Sequence, residues 1–361
     1  MKITVLGSGG WGTAAAMLLS ANGHEVTLWS HSAEKAKMLS LKRKNPLLKN
    51  VTIPEQITIT NDLERLQDCE LLVFAAPSFA LRGVARAAAP YITGGTILVS
   101  LTKGVEQQTH LRMSEILREE TKGTCPVAVL SGPSHAEEVA LGIPTGCVAA
   151  AQEQSVAETV QRVFMNDVFR VYTHDDVVGV ELAGALKNVV ALCCGISDGA
   201  GLGDNTKALL MTRALSEISR LAEAMGGRKE TLAGLAGVGD LVVTCTSMYS
   251  RNRRCGILIG QGKAVQDAMQ EIGAVVEGFF AARGAHELSK EYGVEMPICE
   301  AVYEVLYCGA PVRPSIGTLM QRLPRRESDS SWVCASFRRR KRLISGVRCR
   351  RQQAPSLQLQ K

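Results

Sequence analysis

The chain has 361 residues, of which 46% are apolar and 4% aromatic, enough to bury the cores of two domains of ordinary size. Disordered proteins are poor in apolar residues, so this composition excludes that class. The formal net charge of +6 arises at one end of the chain. From Leu323 onward there are 11 Lys/Arg and 2 Asp/Glu, which leaves 30 basic and 33 acidic side chains in a mildly acidic remainder.

The eleven cysteines are scattered along the chain, and no C-x-x-C pair occurs. Such a set is typical of reduced thiols, so we expect a cytoplasmic protein. No metal site is predicted.

Two apolar stretches resemble membrane signals. The first follows Lys2, but glycines at positions 7, 9, 10 and 12 interrupt any signal-peptide core. The second, residues 177–196, is long enough to span a bilayer but contains Glu181, Lys187 and Asn188. A central charge costs about 2.5–3.5 kcal/mol, whereas each Val or Leu returns only about 0.3–0.6 kcal/mol. We therefore predict a buried helix of a soluble protein and no membrane span.

The first half of the chain alternates short apolar runs with helical patterns. A first helix is predicted over residues 13–21, and Asn22-Gly23 ends it. Strands are predicted over residues 3–6, 25–29, 71–76, 97–100, 127–130, 146–150 and 169–172. Strands separated by helices indicate βαβ units and a parallel sheet, so residues 1–180 are predicted to form an α/β domain.

Strand signals fade after about residue 176. Helical patterns cover residues 207–225, 264–272, 280–292 and 298–307. We therefore predict an all-α domain over residues 181–322. From Leu323 arginine clusters lie among Ser and Gln without a periodic apolar face, which predicts a disordered basic tail over residues 323–361.

Gly7, Gly9 and Gly12 form the pattern G-x-G-x-x-G directly after the first predicted strand. In this context the first glycine permits a tight turn, the second admits a pyrophosphate, and the third lets helix and strand pack closely. The helix that follows offers unpaired N–H groups to the phosphates. The pattern predicts a Rossmann dinucleotide-binding domain; the alternative is that these glycines only turn a corner.

The end of the second predicted strand bears on the choice of cofactor. A carboxylate there would bind the ribose 2′-hydroxyl and repel a 2′-phosphate. The sequence has Ser30-His31-Ser32 and no carboxylate before Glu34, and it has no arginine there either. We predict that the protein uses NADPH without strictly excluding NADH.

Lys187 and Asn188 interrupt an otherwise apolar helix. A charged residue on a buried helix is costly unless it is paired or used, and burial lowers the pKa of a lysine towards neutrality. Lys187 is therefore the candidate general acid/base. The alternative is a structural salt bridge, for example with Glu181.

Three arginines follow Ser250, with Asn252 between the first two. The planar fork of an arginine suits phosphate oxygens, although most charge runs are solvated faces. Upstream, residues 237–241 and Thr244 form a second group of Gly and polar residues. Together the two segments suggest a phosphorylated hydroxyl substrate.

Two loops follow buried strands, where α/β proteins bind ligands. One contains Lys103, which can steady a substrate oxygen, and the other contains Gly132 and Ser134. His135 begins the next helix, where a lone histidine is more often a cap or a packing residue than a base.

From residue 1 to about residue 322 the combined motifs resemble the bacterial NAD(P)-dependent glycerol-3-phosphate dehydrogenase family. The resemblance rests on eight segments in the family's order: residues 7–12, 102–104, 131–136, 169–172, 184–188, 237–241, 250–253 and 275–278. It implies a Rossmann domain, an all-helical domain and an active site between them. The implied reaction is reversible reduction of dihydroxyacetone phosphate to sn-glycerol 3-phosphate for glycerophospholipid synthesis.

The resemblance also implies roles for individual residues. Lys187 would be the proton acceptor. The cofactor, NADPH or NADH, would contact the three fingerprint glycines and Gly10, Trp11, His31, Ser32, Lys103, Ala136, Arg251, Val275 and Glu277. The substrate would contact Lys103, Gly132, Ser134, Asp240, Ser250, Arg251 and Asn252, with Lys187, Asn188 and Thr244 beside it.

This sequence departs from the family at three places. Gly10 is often Ser in the family, Ser32 replaces a frequent Arg, and the family normally ends near residue 322. The arginine-rich ending is consistent with an altered reading frame, and its charge also leaves nonspecific nucleic-acid binding as an alternative; no specific nucleic acid is expected as a partner. A non-catalytic NADPH sensor is another alternative. A homodimer is a candidate assembly.

Overall fold

The computed structural model describes residues 1–324 and residue 327. Met1–Leu319 form one compact unit. The predicted basic tail lies outside the described residues except for Leu323, Pro324 and Glu327. The predicted domain boundary at residue 180 falls in the first turn of a long helix that begins at Val177, and it remains a prediction.

Eight strands form a single sheet in the order β3-β2-β1-β4-β5-β6-β7-β8. The strands are β1 (Lys2–Leu6), β2 (Glu25–Trp29), β3 (Thr58–Thr60), β4 (Leu71–Phe74), β5 (Ile97–Ser100), β6 (Val127–Ser131), β7 (Thr145–Ala151) and β8 (Phe169–His174). The first six follow the doubly wound order, which reverses direction between β1 and β4. The seven predicted strands are therefore confirmed, with small shifts at their ends.

Two features of the sheet differ from the prediction. The short edge strand β3, which pairs with β2, was not predicted because three residues give too little alternation. The sheet is also not wholly parallel, since β7 runs antiparallel to β6. The helix between them, Ala136–Ala140, is only about 7.5 Å long and cannot return along a five-residue strand of about 17 Å. The chain therefore enters β7 from the edge where β6 ends.

The helices of the sheet half are α1 (Gly10–Ala21), α2 (Ala33–Lys42), α3 (Leu81–Ala88), α4 (Met113–Glu120), α5 (Ala136–Ala140) and α6 (Gln154–Phe164). They cover both faces of the sheet. In β4, for example, Leu71 and Val73 join the core on one face, and Leu72 and Phe74 join the core on the other. A strand that is buried on both faces is a continuous apolar run, as this one is.

Among the described residues, those after 176 form helices and no strands, as predicted. They are α7 (Val177–Gly199), α8 (Gly203–Ala224), α9 (Lys229–Leu232), α10 (Asp240–Thr246), α11 (Arg251–Gly260), α12 (Val265–Ile272), α13 (Glu277–Glu291), α14 (Pro297–Tyr307) and α15 (Val312–Met320). A π-helical turn, Leu235–Gly239, leads into α10. The fold is thus an α/β Rossmann half followed by an all-α half.

Helix α7 is the centre of the helical half. It is long and apolar enough to cross a membrane, but 89% of its most apolar window is buried inside the protein. This confirms the predicted buried helix.

Paired glycines bring α11 against α7. A Cβ on Gly195 would lie 2.1 Å from the carbonyl oxygen of Arg253, and one on Gly256 would lie 2.2 Å from that of Leu192. The backbones therefore approach more closely than larger residues would permit. This close packing fixes the start of α11 beside the middle of α7.

A buried carboxylate joins α8 to α14. Glu217 is 2% exposed, and its oxygens accept hydrogen bonds from the backbone nitrogens of Ile298 at 3.0 Å and Cys299 at 3.2 Å. Burial raises the pKa of Glu217 from 4.5 to about 7, and the two N–H donors only partly oppose it. Between about pH 4.5 and pH 7, Glu217 therefore binds more protons in the folded state than in the unfolded state.

We expect the free energy of unfolding to fall as pH rises from about 4.5 to 7, by on the order of 2–3 kcal/mol from this group. Glu217→Gln keeps an acceptor oxygen without the charge and should remove most of that decline. Urea unfolding at pH 5 and pH 8 measures it, with Glu223→Gln on the exposed part of α8 as the control. Equal pH dependence in the Glu217 variant and the original chain would contradict this.

Candidate active site

The glycine loop joins β1 to α1 and leaves space for a ligand at one position. Gly7 has a φ of +128°, and a Cβ there would lie 2.7 Å from the carbonyl oxygen of Ala75. A Cβ on Gly12 would lie 1.8 Å from the carbonyl oxygen of Gly7. At Gly9, by contrast, a Cβ would meet nothing within 4 Å. The two outer glycines are therefore required by packing, and the middle one faces open space.

Gly9 is also the N-cap of α1, and no side chain caps this helix. The N–H groups of its first turn are therefore available to an anion, together with the positive end of the helix dipole. This donor set fits the pyrophosphate of a dinucleotide. A Cβ on Gly10 would lie 3.6 Å from Leu47 Cβ and 3.7 Å from Ala136 Cβ, which is ordinary contact, so the structure has room for a small side chain there.

The end of β2 has no carboxylate beside the loop. Ser30 is buried and accepts a hydrogen bond from Ser8 Oγ at 2.8 Å. His31 and Ser32 are exposed, and Ser32 Oγ caps α2 by accepting from the Lys35 nitrogen at 3.2 Å. Trp11, half-buried at the start of α1, has an indole nitrogen with no hydrogen-bond partner in the part of the chain that the structure describes. Among the described residues, Ser30, His31 and Ser32 at this strand end carry no carboxylate that would repel a 2′-phosphate.

Two lysines from opposite halves of the fold converge on one carboxylate. Lys187 on α7 donates to Asp240 Oδ1 and, at 2.8 Å, to Thr244 Oγ1. Lys103, in the loop after β5, donates to Asp240 Oδ2 at 2.7 Å and to the Gly132 carbonyl oxygen at 3.0 Å. Asp240 is 1% exposed. The structure thus brings together five of the predicted site residues.

The alternative pairing of Lys187 with Glu181 is wrong. Glu181 accepts hydrogen bonds from Arg112 Nη1 at 2.7 Å and from the backbone nitrogen and hydroxyl of Ser114 at 2.8 and 2.7 Å. It lies almost two turns before Lys187 and fastens α7 to the start of α4. Lys187 does form an ion pair, but its partner is Asp240.

Burial and charge set the protonation of this cluster. Burial lowers the pKa of Lys187 to about 8; Asp240 opposes the shift, and the nearby ammonium of Lys103 adds to it. Burial of Asp240 acts against its ionisation, but the two lysines outweigh this and lower its pKa. Asp240 therefore stays ionised near neutral pH, and the Lys187 amine beside it can exchange protons there.

The start of α11 faces α7 through a pair of amides. Asn252 Nδ2 donates to Asn188 Oδ1 at 2.9 Å, and Asn252 Oδ1 accepts from the Gly278 nitrogen at 2.8 Å. Ser250 caps α11 by accepting from the Arg253 nitrogen at 3.2 Å. Asn188, Ser250 and Asn252 are all buried.

The predicted arginine cluster divides into different roles. Arg253 is held by Asp198, with Nη2 at 2.7 Å and Nε at 2.9 Å from Oδ2. Arg251 is exposed at the first position of α11. Arg251 is therefore available to a phosphate group, and Arg253 has a structural role.

Glu277, at the start of α13, touches the sheet half directly. Its Oε1 accepts from the Ser78 nitrogen at 3.1 Å, and its Oε2 accepts from Ser78 Oγ at 2.6 Å. Burial raises the pKa of Glu277, against the effect of Ser78 and the charge of Arg251. Val275, two residues earlier, is half-buried. Sequence reasoning missed Ser78, although it follows β4 as Lys103 follows β5.

His135 packs against the helical half and does not act as a side-chain cap. Its ring nitrogen Nε2 lies 3.5 Å from the Val243 carbonyl oxygen, and its ring lies 5.9 Å from that of Tyr249. Burial lowers the pKa of His135 to about 4, and the charge of Lys187 adds to this. Nearby, Ser134 Oγ donates to the Gly132 carbonyl oxygen at 2.9 Å.

Two comparisons by sequence identify the relatives of this chain. The family described as NAD-dependent glycerol-3-phosphate dehydrogenase matches through its N-terminus model over residues 2–157 and its C-terminus model over residues 176–316. A glycerol-3-phosphate dehydrogenase [NAD(P)+] of Fusobacterium nucleatum is 49% identical over 89% of this chain and 97% of its own length. One of Moorella thermoacetica is also 49% identical, over 91% of this chain and 98% of its own.

A solved structure agrees with these matches. The crystal structure of glycerol-3-phosphate dehydrogenase from Coxiella burnetii superposes with a TM-score of 0.86 and 37% identity, covering 89% of this chain and 99% of that one. The glycine loop, the lysine pair and the helical half therefore occur in a chain that belongs to the NAD-dependent glycerol-3-phosphate dehydrogenase family.

Proposed function

We propose that this chain catalyses the reversible NAD(P)-dependent reduction of dihydroxyacetone phosphate to sn-glycerol 3-phosphate, as the family name describes, and that the product feeds glycerophospholipid synthesis. The observation that carries the proposal is the convergence of Lys187 and Lys103 on Asp240. Their elements meet at the edge where the parallel strands end, which is where ligands bind in this fold.

In this proposal Lys187 handles the proton of the substrate hydroxyl. The glycine loop would hold the pyrophosphate of the dinucleotide, whose nicotinamide would supply hydride transfer to or from C2 of the substrate. The ammonium of Lys187 gives a proton to the C2 oxygen during reduction, and its amine takes that proton during oxidation. Asp240 and Thr244 hold the nitrogen in place, since both accept a hydrogen bond from it, Thr244 at 2.8 Å. Lys103 adds a positive charge for a substrate oxygen.

We assign the substrate phosphate to the start of α11. Arg251 is exposed there, next to the first-turn N–H groups of a ten-residue helix. An arginine fork and a helix N-terminus both favour a phosphate dianion. Asn188 and Asn252 would bind the remaining oxygens of the substrate.

Purified protein with dihydroxyacetone phosphate and NADPH, followed at 340 nm, tests the proposed function. We expect NADPH oxidation that depends on the substrate, and activity with NADH as well, because no carboxylate or arginine selects at Ser30-His31-Ser32. Binding of NADPH without turnover would instead support the non-catalytic sensor.

Arg251→Ala should chiefly raise the KM for dihydroxyacetone phosphate, by about 10–100-fold, because a hydrogen bond to a charged group contributes about 1.5–3 kcal/mol. Arg251→Lys should recover part of this effect, since it keeps the charge without the fork. Unphosphorylated dihydroxyacetone is the control substrate: it has no phosphate for Arg251 to bind, so the kcat/KM for its reduction should be the same in the variant and the original chain. An unchanged KM for the phosphorylated substrate would reject the assignment.

We also propose that the enzyme is cytoplasmic, in keeping with the nine free thiols among the described residues.

A homodimer is the simplest assembly to test, and sedimentation equilibrium of the purified chain measures it.

A further inference from the structure

Asn45 lies in the loop after α2, outside the G-x-G-x-x-G segment and the lysine cluster, and is 2% exposed. Its Nδ2 donates to the carbonyl oxygens of Ser8 at 3.2 Å and Gly9 at 3.4 Å, and to Thr13 Oγ1 at 2.7 Å. One carboxamide thus connects the glycine loop to the first turn of α1. No catalytic or substrate group lies among these partners.

We propose that Asn45 is a positioning residue for the cofactor, which orients two peptide units of the glycine loop towards the pyrophosphate. In a trans peptide the C=O and N–H bonds point in opposite directions. The Ser8 carbonyl shares its peptide unit with the Gly9 N–H, and the Gly9 carbonyl shares its unit with the Gly10 N–H. Because both carbonyls turn towards Asn45, both N–H groups turn away from it. The inference rests on the proposed use of a dinucleotide.

The loop around Asn45 is itself held in one conformation. Asn45 Oδ1 accepts from the Leu47 nitrogen at 3.0 Å, and Pro46 restricts Asn45 to extended backbone. Arg43, at the end of α2, donates from Nη1 to the Ile57 carbonyl oxygen at 2.8 Å. The two ends of the Asn45 carboxamide therefore have separate tasks: the oxygen shapes its own loop, and the nitrogen orients the glycine loop.

Two substitutions separate these tasks. Asn45→Asp keeps the size and the acceptor for Leu47 but replaces the donor with an oxygen that faces two carbonyl oxygens. Asn45→Ala removes both functions. We expect both variants to raise the Kd for NADPH by about ten- to a hundredfold, the loss for an unmade buried hydrogen bond. The kcat at saturating NADPH and the KM for dihydroxyacetone phosphate should stay within about twofold, since the lysine cluster is untouched.

Titration of NADPH fluorescence, steady-state kinetics and thermal unfolding without cofactor provide the measurements. Asn50→Gly is the control, because Asn50 is exposed in the same loop and its φ of 64° suits glycine. A wild-type Kd in Asn45→Asp would overturn the proposal, since the turn bond to Leu47 would then be the only role of Asn45.

A third variant keeps the test decisive if the Asn45 variants do not fold. Thr13→Val removes only the 2.7 Å acceptor and should raise the Kd for NADPH severalfold; an unchanged Kd in the folded variant would refute the inference. The unmodified chain separates this result from the proposed function. If the unmodified chain binds no NADPH, the proposed function and the role of Asn45 both fail. If it binds NADPH and the variants bind NADPH equally well, only the role of Asn45 fails.

Discussion

Lys187→Ala should lower the kcat for dihydroxyacetone phosphate reduction by about 10²–10⁴, the range for a positioned acid/base. The Kd for NADPH should change little, because the glycine loop and the end of β2 lie on other elements. The loss follows from geometry: Lys187 is the buried amine that Asp240 and Thr244 hold at the edge of the sheet. Near-normal turnover would remove Lys187 from the catalytic role.

The pH dependence separates proton transfer from a structural role of Lys187. With a pKa of about 8, the amine is mostly protonated below that pH and mostly neutral above it. Oxidation of glycerol 3-phosphate needs the neutral amine, so its kcat/KM should rise through about pH 8. Reduction needs the ammonium, so its kcat/KM should fall over the same interval. Added ethylamine should partly restore Lys187→Ala, an effect that a purely structural lysine would not produce.

The sequence predicts the sheet half well because its central strands, β1, β4, β5 and β6, are buried on both faces. Runs such as Leu71–Phe74 are apolar without interruption and are bounded by turns or helices. Strand direction carries no such local signal. The antiparallel β7 results from the shortness of α5, and five helical residues do not stand out in the sequence.

In the site, too, sequence reasoning finds the residues that stand out from their sequence neighbours and misses those whose partners are distant in the chain. Lys187 is detectable because a charge in an apolar helix is unusual. The partner of Lys187 is not detectable from the sequence, because Asp240 lies 53 positions away. The nearer acid, Glu181, was the more obvious choice. Ser78 and Asn45 were missed because a single small polar residue in a loop resembles any other until the fold shows what it touches.

The glycine loop offers the second large effect, because alanine at Gly12 and alanine at Gly9 should do harm for different reasons. Gly12→Ala places a Cβ 1.8 Å from the backbone oxygen of Gly7, so α1 must move away from β1. Overpacking of this kind costs about 1–3 kcal/mol or more of unfolding free energy. Gly9→Ala meets nothing within 4 Å, and its φ of −70° and ψ of −178° suit alanine. The unfolding free energy of that variant should change by less than about 1 kcal/mol.

Cofactor binding should respond strongly to Gly9→Ala, although that variant keeps its unfolding free energy. In Gly9→Ala the methyl group occupies the space that we assign to the pyrophosphate, so the Kd for NADPH should rise about 10–100-fold through lost hydrogen bonds to a charged group. Gly10→Ala is the comparison variant: it keeps the backbone N–H that we assign to the pyrophosphate, and its Cβ makes only ordinary contacts with Leu47 and Ala136, so it should alter both quantities less than the other two variants. Urea unfolding and NADPH titration on the three variants measure both effects. If a folded Gly9→Ala bound NADPH as tightly as the unmodified chain, the phosphates would have to lie elsewhere, and the N-terminus of α1 would lose its assigned ligand.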